Sequence, residues 1–311
     1  MLEVGRYRFS WAAMEPGLLP RFWGLALRGG VGHVLRRMVC VTRLPACDGC
    51  LLRFRCAYPV LFQPYAPPDR SQGGRYARMP VPFVLRVPFG DGDQRAVEPG
   101  EVVTFELVLV GEANLHLPYY LLALAELGRR GLGPRRLRFR LEEVAAWTPS
   151  GFVQVYRDGD GTLRTDVPPL ALKELLKATA PVDPHRLVVD FKSPVRLDLE
   201  GDLVYPVEFR HLVRGLLERL RALEACYGIC AVPRPEGAER VQRSEDRTRW
   251  VDFARYSTRQ QVKMRLGGVV GTVTYEGEDL RPFAPLLGVG EWLGVGKLTS
   301  MGFGRMEVVR R

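Results

Sequence analysis

Residues 288–305 read GVGEWLGVGKLTSMGFGR and lead into a short strand-like ending, Met306–Val309. Six glycines stand among aromatic residues and two cations, Lys297 and Arg305. Glycine allows positive φ and lets a ligand approach without meeting a Cβ, so the stretch predicts a loop that holds a phosphate chain. Its spacing fits neither GxGxxG nor GxxxxGK[ST], which disfavours a nucleotide site. A β-turn with a bulge is the alternative interpretation.

The composition indicates a soluble globular protein. The chain has 311 residues, 46% of them hydrophobic, which is enough for two domains with sizeable cores. No apolar run reaches the ~20 residues of a membrane-spanning helix, and the N-terminus lacks the pattern of a signal peptide. We therefore expect a cytoplasmic protein with no membrane partner.

Arginine dominates the charge. The net charge is +10, and arginine supplies 40 of the 45 basic residues. A guanidinium grips phosphates bidentately and stacks on bases, so this excess favours a nucleic-acid partner. A source that replaces lysine by arginine throughout would give the same composition.

The periodicity of apolar residues predicts an α+β fold. The first half reads as strand, helix, strand, strand, helix, strand, which is the ferredoxin-like βαββαβ order. The second half repeats this order loosely. We therefore predict two tandem ferredoxin-like domains, 1–145 and 146–311, the first with a cysteine-cluster insertion at 40–56 and the second with the glycine-rich loop at 288–304.

The first predicted helix carries the leading candidate for chemistry. Glycines interrupt residues 22–40, so we expect a loop or broken helix first and a regular helix from about Val31. His33, Arg36 and Arg37 then share one face. An imidazole beside two guanidiniums can transfer protons and bind phosphate. A histidine that packs or caps the helix is the structural alternative.

Four cysteines follow this helix with the spacing C-x6-C-x2-C-x5-C: Cys40, Cys47, Cys50 and Cys56. Four thiolates within seventeen residues are enough for a tetrahedral structural zinc site. An iron–sulfur cluster uses the same ligands, and unligated small hydrophobes are the alternative.

Several stretches together resemble one family. They are LRGGVGHVLRRMVC with CDGCLLRFRCAYPVLF, LHLPYYLLALAELGRRGLG, WVDFARYSTRQQVKMRLGGVVGTVTYEG and GVGKLTSMGFGRMEV. In this order the chain is similar to the CRISPR repeat-processing endoribonucleases of the RAMP superfamily, in the subgroup with a cysteine cluster after the first helix. One pattern departs from the family, because Leu293-Gly294-Val295 stands where a histidine often precedes the loop's Gly-Lys pair.

The resemblance implies tandem ferredoxin-like domains and metal-independent cleavage of CRISPR repeat RNA. The ribose 2′-hydroxyl attacks the adjacent phosphate, which leaves a 2′,3′-cyclic phosphate and a 5′-hydroxyl. A non-catalytic RAMP subunit that holds guide RNA beside other CRISPR effector subunits is the alternative.

Mapped onto this sequence, the resemblance implies His33, Tyr256 and Lys297 as catalytic residues. The expected RNA-binding residues lie on the first helix, on a cationic hairpin and in the glycine-rich loop. They are Arg28, Arg36, Arg37, Arg255, Arg259, Lys263, Arg265, Gly294, Gly296, Gly302 and Gly304.

Overall fold

The fold is that of a computed structural model. It describes residues 1–65, 79–90, 92, 94–177, 179–229, 232–257 and 262–310, without the side chains of 254–257 and 262–265. The strands are β1 Glu3–Ala13, β2 Gly17–Pro20, β3 Phe83–Arg86, β4 Gln94–Val97, β5 Val102–Val110, β6 Phe139–Thr148, β7 Gly151–Arg157, β8 Leu170–Ala171, β9 Arg186–Val195, β10 Asp198–Leu199, β11 Asp202–Leu203, β12 Gln242–Ser257, β13 Val262–Glu276 and β14 Met306–Val309. The α-helices are α1 Gly24–Val39, α2 Ala57–Phe62, α3 Leu117–Arg130, α4 Leu172–Lys177, α5 Phe209–Tyr227 and α6 Ala284–Leu293.

Two antiparallel sheets repeat one topology. The first has the strand order β3-β5-β1-β6-β7, and its βαββαβ unit is β1-α1-β3-β5-α3-β6. The second has the order β12-β13-β9-β14, and its unit is β9-α5-β12-β13-α6-β14. Both orders place the first and third strands of the unit side by side at the centre. The predicted tandem ferredoxin-like fold is therefore confirmed.

The first sheet is covered on both faces. Tyr7, Phe9 and Trp11 alternate along β1 and pack with α1 and α3 in one core. On the opposite face Val4 and Val108 belong to the core of the second half of the chain. Because strand side chains alternate between faces, β1 contributes to both cores, and the two halves pack together through this sheet.

The chain between the two halves stays with the first sheet. The predicted domain boundary at residues 145 and 146 lies inside β6, and β7 pairs with β6 beyond it. Strand β8 then pairs with Glu3 and Val4 at the start of β1.

Helix α1 corrects one prediction, because it is continuous from Gly24 instead of regular only from Val31. Two of its glycines face neighbours too close for a Cβ. A Cβ on Gly24 would lie 2.4 Å from the Met301 carbonyl oxygen, and one on Gly30 would lie 2.6 Å from Leu127. These glycines therefore permit close packing inside the helix, and the gain from packing outweighs their low helix propensity of about 1 kcal/mol.

The glycine-rich stretch corrects a second prediction. Its first part, up to Leu293, belongs to α6, and only residues from Gly294 onwards form a loop. Gly290 lies inside this helix, where a Cβ would meet the Met306 sulfur at 2.6 Å. Helix α6 can therefore pack directly on β14.

Candidate nucleic-acid interface

His33 lies on the exposed face of α1. The opposite face of this helix is buried through Leu27, Val31 and Leu35, which fixes the direction of the imidazole. Arg37 follows one turn later and is also exposed. This face therefore presents a proton-transfer group and a cation to solvent together, as the sequence predicts.

The other two arginines predicted on α1 have partners within the protein. Arg36 donates from Nη2 to the carbonyl oxygens of Leu44 and Pro45, at 2.6 and 2.8 Å. Arg28 donates to the Phe62 carbonyl at 3.4 Å, and its guanidinium lies 5.2 Å from the Phe62 ring centroid. In this arrangement Arg36 fixes the loop of the cysteine cluster and Arg28 fixes the end of α2.

The four cysteines line one small cavity of about 20 Å³, next to Arg36. Burial raises the pKa of Cys47, and the three neighbouring cysteines act in the same direction. Even so, no group of three or more His, Cys, Asp or Glu side chains within the described ranges is placed to hold a metal ion, and those ranges include all four thiols. The geometry therefore does not support the predicted structural zinc or its iron–sulfur alternative.

The loop from Gly294 to Arg305 bonds to its surroundings through its backbone. The Val295 amide donates to the Gly304 carbonyl, and the Gly304 amide donates to the Pro194 carbonyl, both at 2.9 Å. Gly294, Gly296, Gly302 and Gly304 all have positive φ. A Cβ on Gly296 would lie 2.3 Å from the Arg196 carbonyl oxygen. The positive φ values and the close approach to the end of β9 are enough to explain why these positions are glycine. The glycines therefore do not by themselves indicate a phosphate-binding loop.

The same loop reaches α1. Phe22, Phe303 and Leu266 form a small buried cluster, and Phe253 lies beside it with its ring centroid 5.2 Å from that of Phe22. This cluster joins the segment before α1 to the glycine-rich loop and to the β12–β13 hairpin. The position of His33 therefore depends on both halves of the chain.

Lys297 stands on this loop with a carboxylate partner. Its Nζ donates to Asp198 Oδ2 at 2.6 Å, and the lysine side chain is 57% exposed. The hydrogen bond from this ammonium lowers the pKa of Asp198. A phosphate at this site would therefore compete with Asp198 for the ammonium group.

The hairpin candidates are described only in part. The register pairs Tyr256 with Lys263 and Arg255 with Met264. The side chains of these residues and of Arg265 fall outside the described part, and Arg259 lies outside the described residues altogether.

A charged network between the sheets was missed by sequence reasoning. Glu106 on β5 lies opposite Arg8 on β1 and opposite Arg86 on β3. Arg6 also contacts Glu106. Arg305, the residue just before β14, interacts electrostatically with the same carboxylate. Burial lowers the pKa of Arg86, which is 5% exposed, and its Nη1 makes no hydrogen bond. In the sequence, the spacing of Arg6 and Arg8 on one face of a predicted strand was the feature that could have indicated this network.

Two family models match the chain. Residues 2–168, more than half of the chain, match AF_1859_N, described as an N-terminal domain. Residues 189–306 match CRISPR_Cas6, described as CRISPR-associated endoribonuclease Cas6. An uncharacterized protein of Archaeoglobus fulgidus is 28% identical over 293 residues, which are 93% of this chain and 92% of that protein.

Solved structures agree on the fold. Thermus thermophilus Cas6 matches with a TM-score of 0.55 at 14% identity, and the product complex of the same protein matches with 0.53 at 16%. Each match covers 99% of both chains. The fold of this chain is that of the solved Cas6 structures. The match over residues 2–168 places the chain in the family that AF_1859_N describes, and residues 189–306 match the Cas6 endoribonuclease model, in agreement with the resemblance in the sequence. None of the helices in the described ranges is long and apolar enough to span a membrane.

Proposed function

We propose that this protein cleaves the repeat of CRISPR precursor RNA without a catalytic metal ion. The observation that carries the proposal is the exposed His33, one turn before Arg37, on the first helix of a chain whose second half matches the Cas6 endoribonuclease model. The net charge of +10 supports binding of a polyanion. Guide RNA is the product, and other CRISPR proteins are its recipients.

The reaction is an internal transesterification. The 2′-hydroxyl loses its proton to a base and attacks the adjacent phosphorus, while the bond from phosphorus to the 5′-oxygen breaks and that oxygen takes a proton from an acid. The products are a 2′,3′-cyclic phosphate and a 5′-hydroxyl. His33 serves as one of these two groups, and a cation beside the phosphorane stabilises its charge.

Arg37 and Lys297 are the cations proposed for this phosphate. Arg37 shares the exposed face with His33, whereas Lys297 must first leave Asp198. Tyr256 is proposed to orient the 2′-hydroxyl or to stack on a base. When RNA binds, the Lys297 ammonium group would exchange Asp198 for the phosphate.

The test uses end-labelled repeat RNA from the CRISPR array of the source genome, in buffer with EDTA. We expect cleavage at one position, a cyclic phosphate on the 5′ product, and no cleavage of RNA with a 2′-deoxyribose at that position. His33→Ala should lose at least a hundredfold in rate and keep its affinity for RNA. His185→Ala is the matched control, since His185 is also exposed.

The outcomes separate the candidates. Cleavage by His33→Ala at the wild-type rate would overturn the assignment of His33. Tight binding of the repeat without any cleavage by the wild-type protein would identify a non-catalytic RAMP subunit instead. Cleavage that disappears in EDTA and returns with added Mg²⁺ would refute the metal-independent mechanism.

A further inference from the structure

A second group of cations lies at the end of α3, outside the candidate site on α1 and the glycine-rich loop. Residues 129–140, here named the arginine turn, read RRGLGPRRLRFR and hold six arginines. The turn joins α3 to β6. Its two leucines, Leu132 and Leu137, are each 4% exposed and pair with each other as a bridge, so the backbone is anchored while the arginines project outward.

Four of these arginines have carboxylate partners. Arg129 and Arg130 share Glu126, at 2.7 and 2.6 Å. Arg138 contacts Glu15 at 2.9 Å and Arg140 contacts Glu142 at 2.7 Å. Arg129 and Arg130 also stand in the last turn of α3, where cations offset the negative end of the helix dipole. The charges of these four arginines are therefore compensated by carboxylates of the protein itself.

Arg135 and Arg136 differ from the other four. Both are exposed at the tip of the turn, and neither forms an ion pair with any residue in the described part of the chain. Arg136 has φ of +51°, a left-handed conformation that residues with a Cβ rarely adopt. Its carbonyl oxygen lies so close to Gly131 that a Cβ there would be 2.1 Å away. The tip is thus held in one conformation, which lowers the entropy lost on binding.

The turn begins just after the point where α3 packs against α1. Gly30 on α1 packs directly against Leu127 on α3, two residues before the turn begins. His33 stands three residues after Gly30, about 4.5 Å further along the helix axis. Closely packed helices have axes about 8–10 Å apart, so one RNA molecule can reach both sites.

The chemistry of the turn fits phosphates better than bases. Phe139 is its one aromatic residue and is completely buried, so no ring is exposed in the turn for stacking. Two exposed guanidiniums, with no ion-pair partner among the residues that the structure describes, offer forked donors to phosphate oxygens. We infer that Arg135 and Arg136 bind the phosphate backbone of the substrate RNA, without reading its sequence. This inference rests on the proposed function.

The test measures equilibrium binding of labelled repeat RNA and of a scrambled RNA of equal length, at salt concentrations from about 50 to 200 mM. The variant is the double substitution Arg135→Ala and Arg136→Ala. Each lost phosphate contact lowers the slope of log affinity against log salt by roughly 0.7–0.9, so we expect a decrease of about 1.5. Affinity should fall about tenfold for both RNAs, and the cleavage rate at saturating protein should stay at the wild-type value.

Two further variants keep the result interpretable. Arg221→Ala with Arg240→Ala removes the same charge from exposed positions on and beyond α5 and should leave the slope unchanged. Arg136→Gly removes one guanidinium and relieves the left-handed backbone, so it should raise the unfolding midpoint and lower the slope by about one.

Equal slopes for the wild type and the Arg135/Arg136 double variant would overturn the inference, and so would an equal loss in the Arg221/Arg240 control. Wild-type protein that binds and cleaves the repeat, with no effect of the double variant, refutes the inference alone. Wild-type protein that does not bind the repeat refutes the proposed function and the inference together.

Discussion

Arg6 holds Glu106 through two guanidinium nitrogens. Its Nε donates to Glu106 Oε2 at 2.8 Å, and its Nη2 lies 2.7 Å from the same oxygen. Burial alone would raise the pKa of Glu106, but the charges of Arg6 and Arg86 outweigh burial, and the pKa is lowered. One carboxylate therefore compensates a group of cations between the two sheets.

Replacing Glu106 by Gln should strongly destabilise the protein. The side chain is 13% exposed, and the substitution leaves Arg6 and Arg86 without their compensating charge. Removing one partner of a buried ion pair costs about 3–5 kcal/mol, and we expect a loss in that range from urea unfolding. Glu15→Gln, which removes a partly exposed partner of Arg138, should change the unfolding midpoint little. Similar losses in the two variants would contradict this account.

Two glycines on the same helix should respond to alanine with opposite signs. Gly24→Ala places a Cβ 2.4 Å from the Met301 carbonyl oxygen, which must move, so we expect a loss of about 1–3 kcal/mol. Gly29→Ala meets nothing within 4 Å and should gain about 0.5–1 kcal/mol from helix propensity. Urea unfolding of both variants checks the prediction. A stabilised Gly24→Ala protein would show that the loop and the helix do not press on each other.

The ion pair between Lys297 and Asp198 should restrain RNA binding if Lys297 contacts a phosphate. Asp198→Asn removes the competing charge, so affinity for the repeat should rise about two- to fivefold, as expected for an exposed pair worth up to about 1 kcal/mol. Lys297→Met should lower affinity, and adding Asp198→Asn to it should bring no gain. The measurement is a binding isotherm at fixed salt. If Asp198→Asn still raises the affinity in a protein that lacks Lys297, the gain comes from the change in net charge and not from release of Lys297.

His211 should make folding stability depend on pH. Burial, followed by the charge of Arg210, lowers the pKa of His211 below its usual 6.5, while Glu208 acts in the opposite direction. The unfolded chain then binds the proton more readily, so this contribution to stability is complete above about pH 6.5 and is lost as the pH falls through the folded pKa. The ring nitrogen Nδ1 accepts the Glu208 amide proton at 3.3 Å, which a protonated ring cannot do.

His211→Gln is the variant that isolates this effect. A glutamine at this helix position can accept the same amide proton but does not titrate. The variant should match the wild type at pH 8 and lose less stability between pH 7 and pH 5, as measured by urea unfolding. Parallel losses in the two proteins would show that other groups cause the acid sensitivity.

The order of strands and helices could be predicted because apolar periodicity and family resemblance agree along most of the chain. The predicted bounds of helices were wrong where a glycine is required by packing against a distant part of the chain. Gly24, Gly30 and Gly290 look like helix breakers in the sequence, yet each lies in a helix where a neighbour leaves no space for a Cβ. Propensity is a local property, and these contacts are made with residues distant in the chain.

Only part of the candidate site could be predicted, again because some of its contacts join residues that are distant in the chain. The exposed position of His33 and Arg37 follows from helical spacing alone, so the sequence sufficed for these two. Spacing could not reveal that Arg36 binds the carbonyl of Leu44, or that Lys297 has Asp198 as a partner. Such pairings depend on where loops return, and loop paths are the least predictable part of a chain.

The pairing of β8 with the first residues of β1 bears on how this protein can be divided. A fragment that stops at residue 168 would lack β8 and would leave Glu3 and Val4 with open hydrogen-bonding groups along an apolar strand, a template for self-association. A soluble N-terminal piece therefore has to extend past Ala171. Attempts to express the two halves as separate genes should split the chain after that strand.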